Sequence, residues 1–243
     1  SDGLYVFSCG IAAKQMADKV SARIVSNGVK GEVHTYSVTD YAESVINAAS
    51  GVYSDKAVNA VKAMLNYGTA AQQYFGYNTD NPANSIMTDD DKNMDMVGFN
   101  TYTGKLVNAD SVSGISYYGS SLVLESDTIL RNYFELSDGY NIDNYTFYVK
   151  DKDGNKNIIV PQKTDASLYY IDISNVKAYE LADNVNIYVQ KNGDSEDKIM
   201  MLEYGAYVYA RYVDKYLDNI ALKNLMTAMY HYCNAATEYA NIY

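Results

Sequence analysis

KAMLNYGTAAQQYF (Lys62–Phe75) carries the reading that decides the fold, because TAMYHYCNAATEYA (Thr227–Ala240) repeats it near the other end of the chain. Ala63/Ala228, Met64/Met229, Tyr67/Tyr232, Ala70/Ala235, Ala71/Ala236 and Tyr74/Tyr239 coincide without a gap. In both stretches apolar and small residues recur at helical spacing: Ala57, Val61, Met64, Gly68, Ala71 and Phe75, then Leu222, Met226, Met229, Cys233, Ala236 and Ala240. Each stripe predicts a long helix buried along one face. Small residues at Gly68/Cys233 and Ala71/Ala236 would let a neighbouring helix approach closely.

The repetition continues outward. LYVFSCGIAAKQMADKVSARIVSNG (Leu4–Gly28) aligns with YYIDISNVKAYELADNVNIYVQKNG (Tyr169–Gly193) at a constant offset. Val20, Ala22 and Ile24 alternate with polar neighbours, as do Val185, Ile187 and Val189, which predicts a half-buried strand in each copy. The Asn-Gly that closes both stretches signals a hairpin. Between strands, AKQMAD and AYELAD read as helical turns tucking Met16 and Leu181 inward. After the hairpins, YSVTDYAESVINA (Tyr36–Ala48) and LEYGAYVYARYVDKYL (Leu202–Leu217) take up helical period. The long helices follow, capped by Ser54 in the first copy and by Asp218 or Asn219 in the second.

The middle of the chain differs. GYNTDNPANS (Gly76–Ser85) is dense in turn formers and closes the first lobe, and Thr88 before Asp89, Asp90 and Asp91 starts a short helix. ISYYGSSLVLES, TILRNYFELSD, YTFYVKDKDG and KNIIVPQ, between Ile115 and Gln162, read as short strands. Joined to the three strands of the second repeat they would form a sandwich-like pair of sheets. DKDGNKN (Asp151–Asn157) lacks the closing glutamate of a calcium loop and is predicted to be a hairpin turn. The expected fold class is α+β with two related lobes, each of β-strands followed by a helix pair. The partition is 1–84 for the first lobe, 85–114 for a connector and 115–243 for a second lobe with the fuller sandwich. The sheet of the first lobe is either smaller or truncated at Ser1.

Composition narrows function by exclusion. A net charge of -11 and a pI near 4.5 argue against nucleic acid and anionic membrane surfaces, which need clustered Lys and Arg. No apolar run approaches the roughly 20 residues of a membrane helix. No signal-peptide pattern opens the chain, so Ser1 is expected to begin a processed or trimmed polypeptide. Cys9 and Cys233 occupy non-equivalent places and are expected as buried free thiols. His34 and His231 have no metal-ligand spacing, and the Walker, GxGxxG, HExxH and GxSxG patterns are absent from the sequence. No enzyme activity, metal or cofactor is expected, and no carboxylate pair stands out for glycoside hydrolysis.

Tyrosine is the compositional signal, with 27 Tyr against 5 Phe and no Trp. A tyrosine joins a flat apolar face to a hydroxyl, which suits half-buried packing and polar ring-shaped ligands alike. Tyrosines at corresponding places in the two copies (Tyr41/Tyr207, Tyr67/Tyr232, Tyr74/Tyr239) are read as packing residues. Tyr209, Tyr212 and Tyr216, at i, i+3 and i+7, either widen a core face or form an aromatic shelf between lobes. Tyr179 stands on an exposed turn, and Tyr53, Tyr77 and Tyr140 sit in loop contexts. Exposed rings can stack on a pyranose as they stack on bases, at roughly 1–3 kcal/mol each.

VKAMLNYGTAAQQYFGYNTDN (Val61–Asn81), preceded by YSVTDYA, resembles a module of secreted, often dockerin-bearing proteins of gut clostridia. ISYYGSSLVLESDTILRNYFELSD (Ile115–Asp138) followed by YTFYVKD resembles the second half of that module. The duplicated layout is similar to a bilobed domain of amylosome starch adherence proteins. That resemblance implies a non-catalytic module binding starch or a related α-1,4-glucan in a cleft between lobes. It also implies a secreted, cell-surface setting within a larger multidomain protein. The candidate ligand-binding residues are Tyr209, Tyr212, Tyr216, Tyr179, Tyr77, Tyr140 and Tyr53. The alternative is a protein–protein adhesion or scaffold module of a secreted complex.

Overall fold

The computed structural model describes residues 8–96, 112–124, 128–151, 153–174, 176–181, 185–194, 198–203 and 218–241. The chain is mixed α+β and divides into two compact units, Ser1–Val97 with Leu124–Asp127 and Asn219–Tyr243, and Gly98–Val123 with Thr128–Asp218. The first unit carries a small hairpin and the helices, and the second carries a β-sandwich.

In the helical unit, local chemistry sets each boundary. Helix α1 (Val38–Ile46) opens on a capping box, in which the Ser37 side chain accepts from Asp40 N at 3.0 Å and Asp40 accepts from Ser37 N at 2.8 Å. Helix α2 (Asp55–Phe75) is capped by Ser54 and stops at Gly76, which takes the left-handed conformation that a side chain would resist. Helix α3 (Asp89–Lys92) is capped by Thr88. Helix α4 (Ile220–Ala240) is capped by Asn219, which resolves the choice with Asp218. Leu222, Met226, Met229, Cys233 and Ala236 of the expected α4 stripe are buried. In α2 the burial is rotated: Gly68 and Ala71 lie inside with Leu65 and Tyr67, while Phe75 is exposed.

α2 and α4 pack on each other within this one unit, and the corresponding residues Tyr67 and Tyr232 stack at 5.8 Å. The sequence partition placed these helices in separate lobes, and the structure draws the boundary differently. A stripe states that a helix needs a partner without stating which. The elements nonetheless recur at one spacing of the numbering: 3₁₀ turns at Ala13–Gln15 and Ala178–Glu180, long helices at Asp55–Phe75 and Ile220–Ala240. Met16 and Leu181 after those turns are both buried, as expected.

A polar seam fastens the 78–91 segment to α2. Gln72 accepts from Ala83 N at 2.8 Å and donates to Asn81 O at 3.0 Å. Thr69 accepts from Asn84 N, Asn84 donates to Asn66, and Asn66 donates to Asp91 O. All four side chains are buried, so each bond replaces one that water would have made.

The sandwich has two antiparallel four-stranded sheets. One has the order β5 (Ile115–Leu124), β6 (Thr128–Leu136), β10 (Tyr169–Ile173), β9 (Gln162–Lys163). The other runs β12 (Lys198–Glu203), β11 (Val185–Lys191), β7 (Tyr145–Lys150), β8 (Lys156–Ile159). Their inner faces meet around Phe134, Ile171, Phe147, Ile187 and Val189, with Phe134 and Phe147 stacked at 4.8 Å. The expected strands and the half-buried alternation in β11 are therefore present. The β7–β8 turn falls within Asp151–Asn157 as expected: Asp151 accepts from Asp153 N and Asn155 N, and Gly154 has φ +83°.

Two expectations fail in the first copy. Among the described residues, β1 (Val20–Ala22), β2 (Val25–Ser26), β3 (Val29–Lys30) and β4 (His34–Tyr36) pair only among themselves, β1 with β4 and β2 with β3, and all of their residues are exposed. The Asn27-Gly28 turn forms as expected, with both residues at positive φ. Cys9 is exposed and only Cys233 is buried, because the segment bearing Cys9 lies outside the helical core.

Candidate functional site: a tyrosine-lined groove

Three helices of the first unit each turn one face to a common groove. α1 supplies Tyr41 and Val45 at i and i+4. α2 supplies Ala57, Ala60, Val61 and Met64 at i, i+3, i+4 and i+7. α4 supplies Tyr232, Ala236 and Tyr239 at i, i+4 and i+7, and Tyr53 enters from the α1–α2 connection. The groove encloses about 220 Å³. Alanines keep the floor low, and the tyrosines form its sides: Tyr41, Tyr53 and Tyr239 remain 47%, 39% and 37% exposed. Tyr232 is set deeper, and burial pushes its phenol above the ordinary value, so it remains a neutral donor.

Of the candidate ligand-binding residues among the described ones, Tyr53 alone lines this groove. Tyr209, Tyr212 and Tyr216 lie outside the described residues. Tyr77 follows the far end of α2, and its hydroxyl donates to Asp18 at 2.6 Å, which raises its pKa. Lys14 lies over the rings of Phe75 and Tyr77, at 4.8 and 5.7 Å from their centroids. Tyr77 thus ties the 3₁₀ turn to α2. The 21 residues of α2 separate it from Tyr53 by about 30 Å of helix rise. Tyr140 and Tyr179 belong to the sandwich unit and are both partly exposed. The Tyr140 ring rests against Gly114 with Lys191 5.4 Å from its centroid, and Lys177 lies 5.5 Å from that of Tyr179.

Tyr41 and Tyr239 were expected to pack and instead line the groove, while Tyr232 does both, stacking on Tyr67 as expected and reaching the groove. Tyr67 does pack, but Tyr41, Tyr74 and Tyr239 are exposed. Correspondence between copies did not mean burial, because the copies' long helices face each other instead of anchoring separate cores. A signal was available: Tyr239 falls one turn beyond the small Ala236 on the face that also carries Tyr232.

The paired acids of the described residues serve the fold. Asp91 accepts from Lys62 at 2.8 Å, Asp40 from Lys19 at 2.6 Å, and Asp172 forms a two-bond pair with Arg131 at 2.7 and 2.8 Å. Lys62 and Lys19 hold the first two carboxyls below the usual range. Among the described residues no three His, Cys, Asp or Glu side chains cluster for a metal, and no helix is long and apolar enough to cross a membrane. Comparison of the chain with protein-family models, curated proteins and solved structures finds no match.

Proposed function

We propose that the protein is a non-catalytic carbohydrate-binding module whose helical groove takes a neutral α-1,4-glucan of the starch type. The observation that carries this reading is the ring of part-exposed tyrosines, Tyr41, Tyr53 and Tyr239, around a small-residue floor. Each offers an apolar face to a sugar ring and a hydroxyl to the sugar's own hydroxyls. The groove is smaller than the roughly 300–1,000 Å³ of pockets that enclose a ligand, so it acts as a platform for one or two residues of a longer chain. A neutral polymer suffers no repulsion from a chain of net charge -11.

A second reading has its own observation. Val45, Val61 and Met64 make the floor apolar enough to anchor a side chain of another polypeptide, as in an adhesion or scaffold module. Calorimetric titration with maltoheptaose separates the two. Under the glucan reading heat is released, and Tyr53→Ala or Tyr239→Ala weakens binding roughly 5- to 150-fold while circular dichroism stays unchanged. Tyr179→Ala, in the other unit, leaves the affinity as it was. No heat with maltoheptaose, or wild-type affinity in the Tyr53→Ala/Tyr239→Ala double variant, refutes the glucan reading. Loss confined to Tyr179→Ala would move the site to the sandwich.

A further inference from the structure

The hairpin β1–β4 is chemically out of place where it stands. Ile24 and Val29 are 73% and 72% exposed, and Val25 and Val33 are exposed with them. A concavity of about 530 Å³ opens against Ala22, Ile24, Val25 and His34. Exposed apolar strands of this kind are what soluble proteins ordinarily cover.

The second copy shows what covers the same surface. At the spacing that relates the two 3₁₀ turns, Val20–Ser26 corresponds to Val185–Lys191, which is β11. β11 pairs with β12, as β1 pairs with β4. On its other edge β11 also pairs with β7, Tyr188 opposite Tyr148 and Val189 opposite Phe147. Its Ile187 and Val189 are fully buried against Phe134, Phe147 and Ile171. Ala22 and Ile24, their counterparts, face solvent. Both hairpins carry an irregularity at the same place: β11 shifts register between Ile187 and Tyr188, and the first copy breaks between β1 and β2. The position of the break recurs, while β1 meets β4 two residues out of the register that β11 keeps with β12, Val20 opposite Tyr36 against Val185 opposite Glu203.

We infer that β1–β4 is the closing half of a second β-sandwich, completed by a strand set of β5-to-β9 chemistry joined ahead of Leu4 in the same polypeptide. A strand like Tyr145–Lys150 pairs antiparallel along residues 23–26, and Ile24 enters a core of the Phe134/Phe147/Ile171 kind. Strand addition at a free edge supplies main-chain hydrogen bonds, and the apolar face supplies register.

The test places a second copy of residues 112–168 ahead of Leu4 in the full chain, the junction that the second copy uses before Tyr169. Hydrogen exchange read by mass spectrometry should slow on the order of 100-fold across residues 20–36, with α2 and α4 unchanged. Ile24→Asp in the extended chain should abolish that gain. Added strands that stay unprotected, or that become protected while residues 20–36 exchange as before, overturn the inference. Slowing in the unextended chain that grows with protein concentration would instead make the face a self-association surface, which also overturns it.

Discussion

Replacing Gly114 with alanine should destabilise the sandwich unit, and the structure separates the reasons. Gly114 has φ +84°, where an L side chain costs about 1–2 kcal/mol. A Cβ there would also lie 2.7 Å from Cε1 of Tyr140 and nearer still to two other ring atoms. The ring cannot easily retreat, because Ser137 N donates to Gly114 O at 2.9 Å and Tyr140 N donates to Ser137 O at 3.2 Å. Overpacking of this kind costs about 1–3 kcal/mol. Loss of glycine's freedom in the unfolded chain returns about 0.4–1 kcal/mol. The net is roughly 2–4 kcal/mol, or about 5–12 °C in Tm for a protein of this size. Gly154 has φ +83° but nothing within 4 Å of an added Cβ, so Gly154→Ala isolates the backbone strain at about 1 kcal/mol. Urea and thermal melts of Gly114→Ala, Gly154→Ala, Tyr140→Ala and the Gly114→Ala/Tyr140→Ala double variant complete the comparison. Truncating Tyr140 should recover the steric part of the loss, visible as a favourable coupling. A Gly114→Ala variant no less stable than Gly154→Ala, or a double variant that recovers nothing, would show that Tyr140 does not pack as described.

Three further outcomes follow from the helical unit. Gln72→Leu strands Ala83 N–H and Asn81 C=O in a buried site, so stability should fall by about 1–3 kcal/mol and limited proteolysis should open within residues 78–87. Asp91, held below its ordinary pKa by Lys62, contributes stability above about pH 4 that fades as pH falls through the depressed folded value. Urea melts of Asp91→Asn and the wild type should therefore differ at pH 6 and converge near pH 2–3, and a constant gap would refute the ion-pair account. A thiol reagent should modify Cys9 at once and reach Cys233 only in denaturant; equal rates would contradict the burial of α4.

Local signals were legible because their chemistry is complete within a few residues. Ser54, Thr88 and the Asn27-Gly28 turn each satisfy or strain the backbone beside them, and each stands where its sequence placed it. Tyr53 was legible as a candidate because it precedes a helix cap, where packing offers an aromatic ring little. Tyr41 and Tyr239 were not, since their exposure depends on what the neighbouring helix leaves uncovered.

The chain's sequence by itself determined the recurrence of its elements, the caps and turns that bound them, and the strands of the sandwich. Hydrophobic period and terminal chemistry are local, so no partner had to be known. Only the tertiary structure decided that α2 packs on α4, that their faces with α1 leave a tyrosine-lined groove, and that among the described residues β1–β4 pairs with no further sheet. An apolar face records that surface must be removed from water, and its energy scales with area without naming the surface that does the covering. The same alternation therefore yields a buried β11 and an exposed β1.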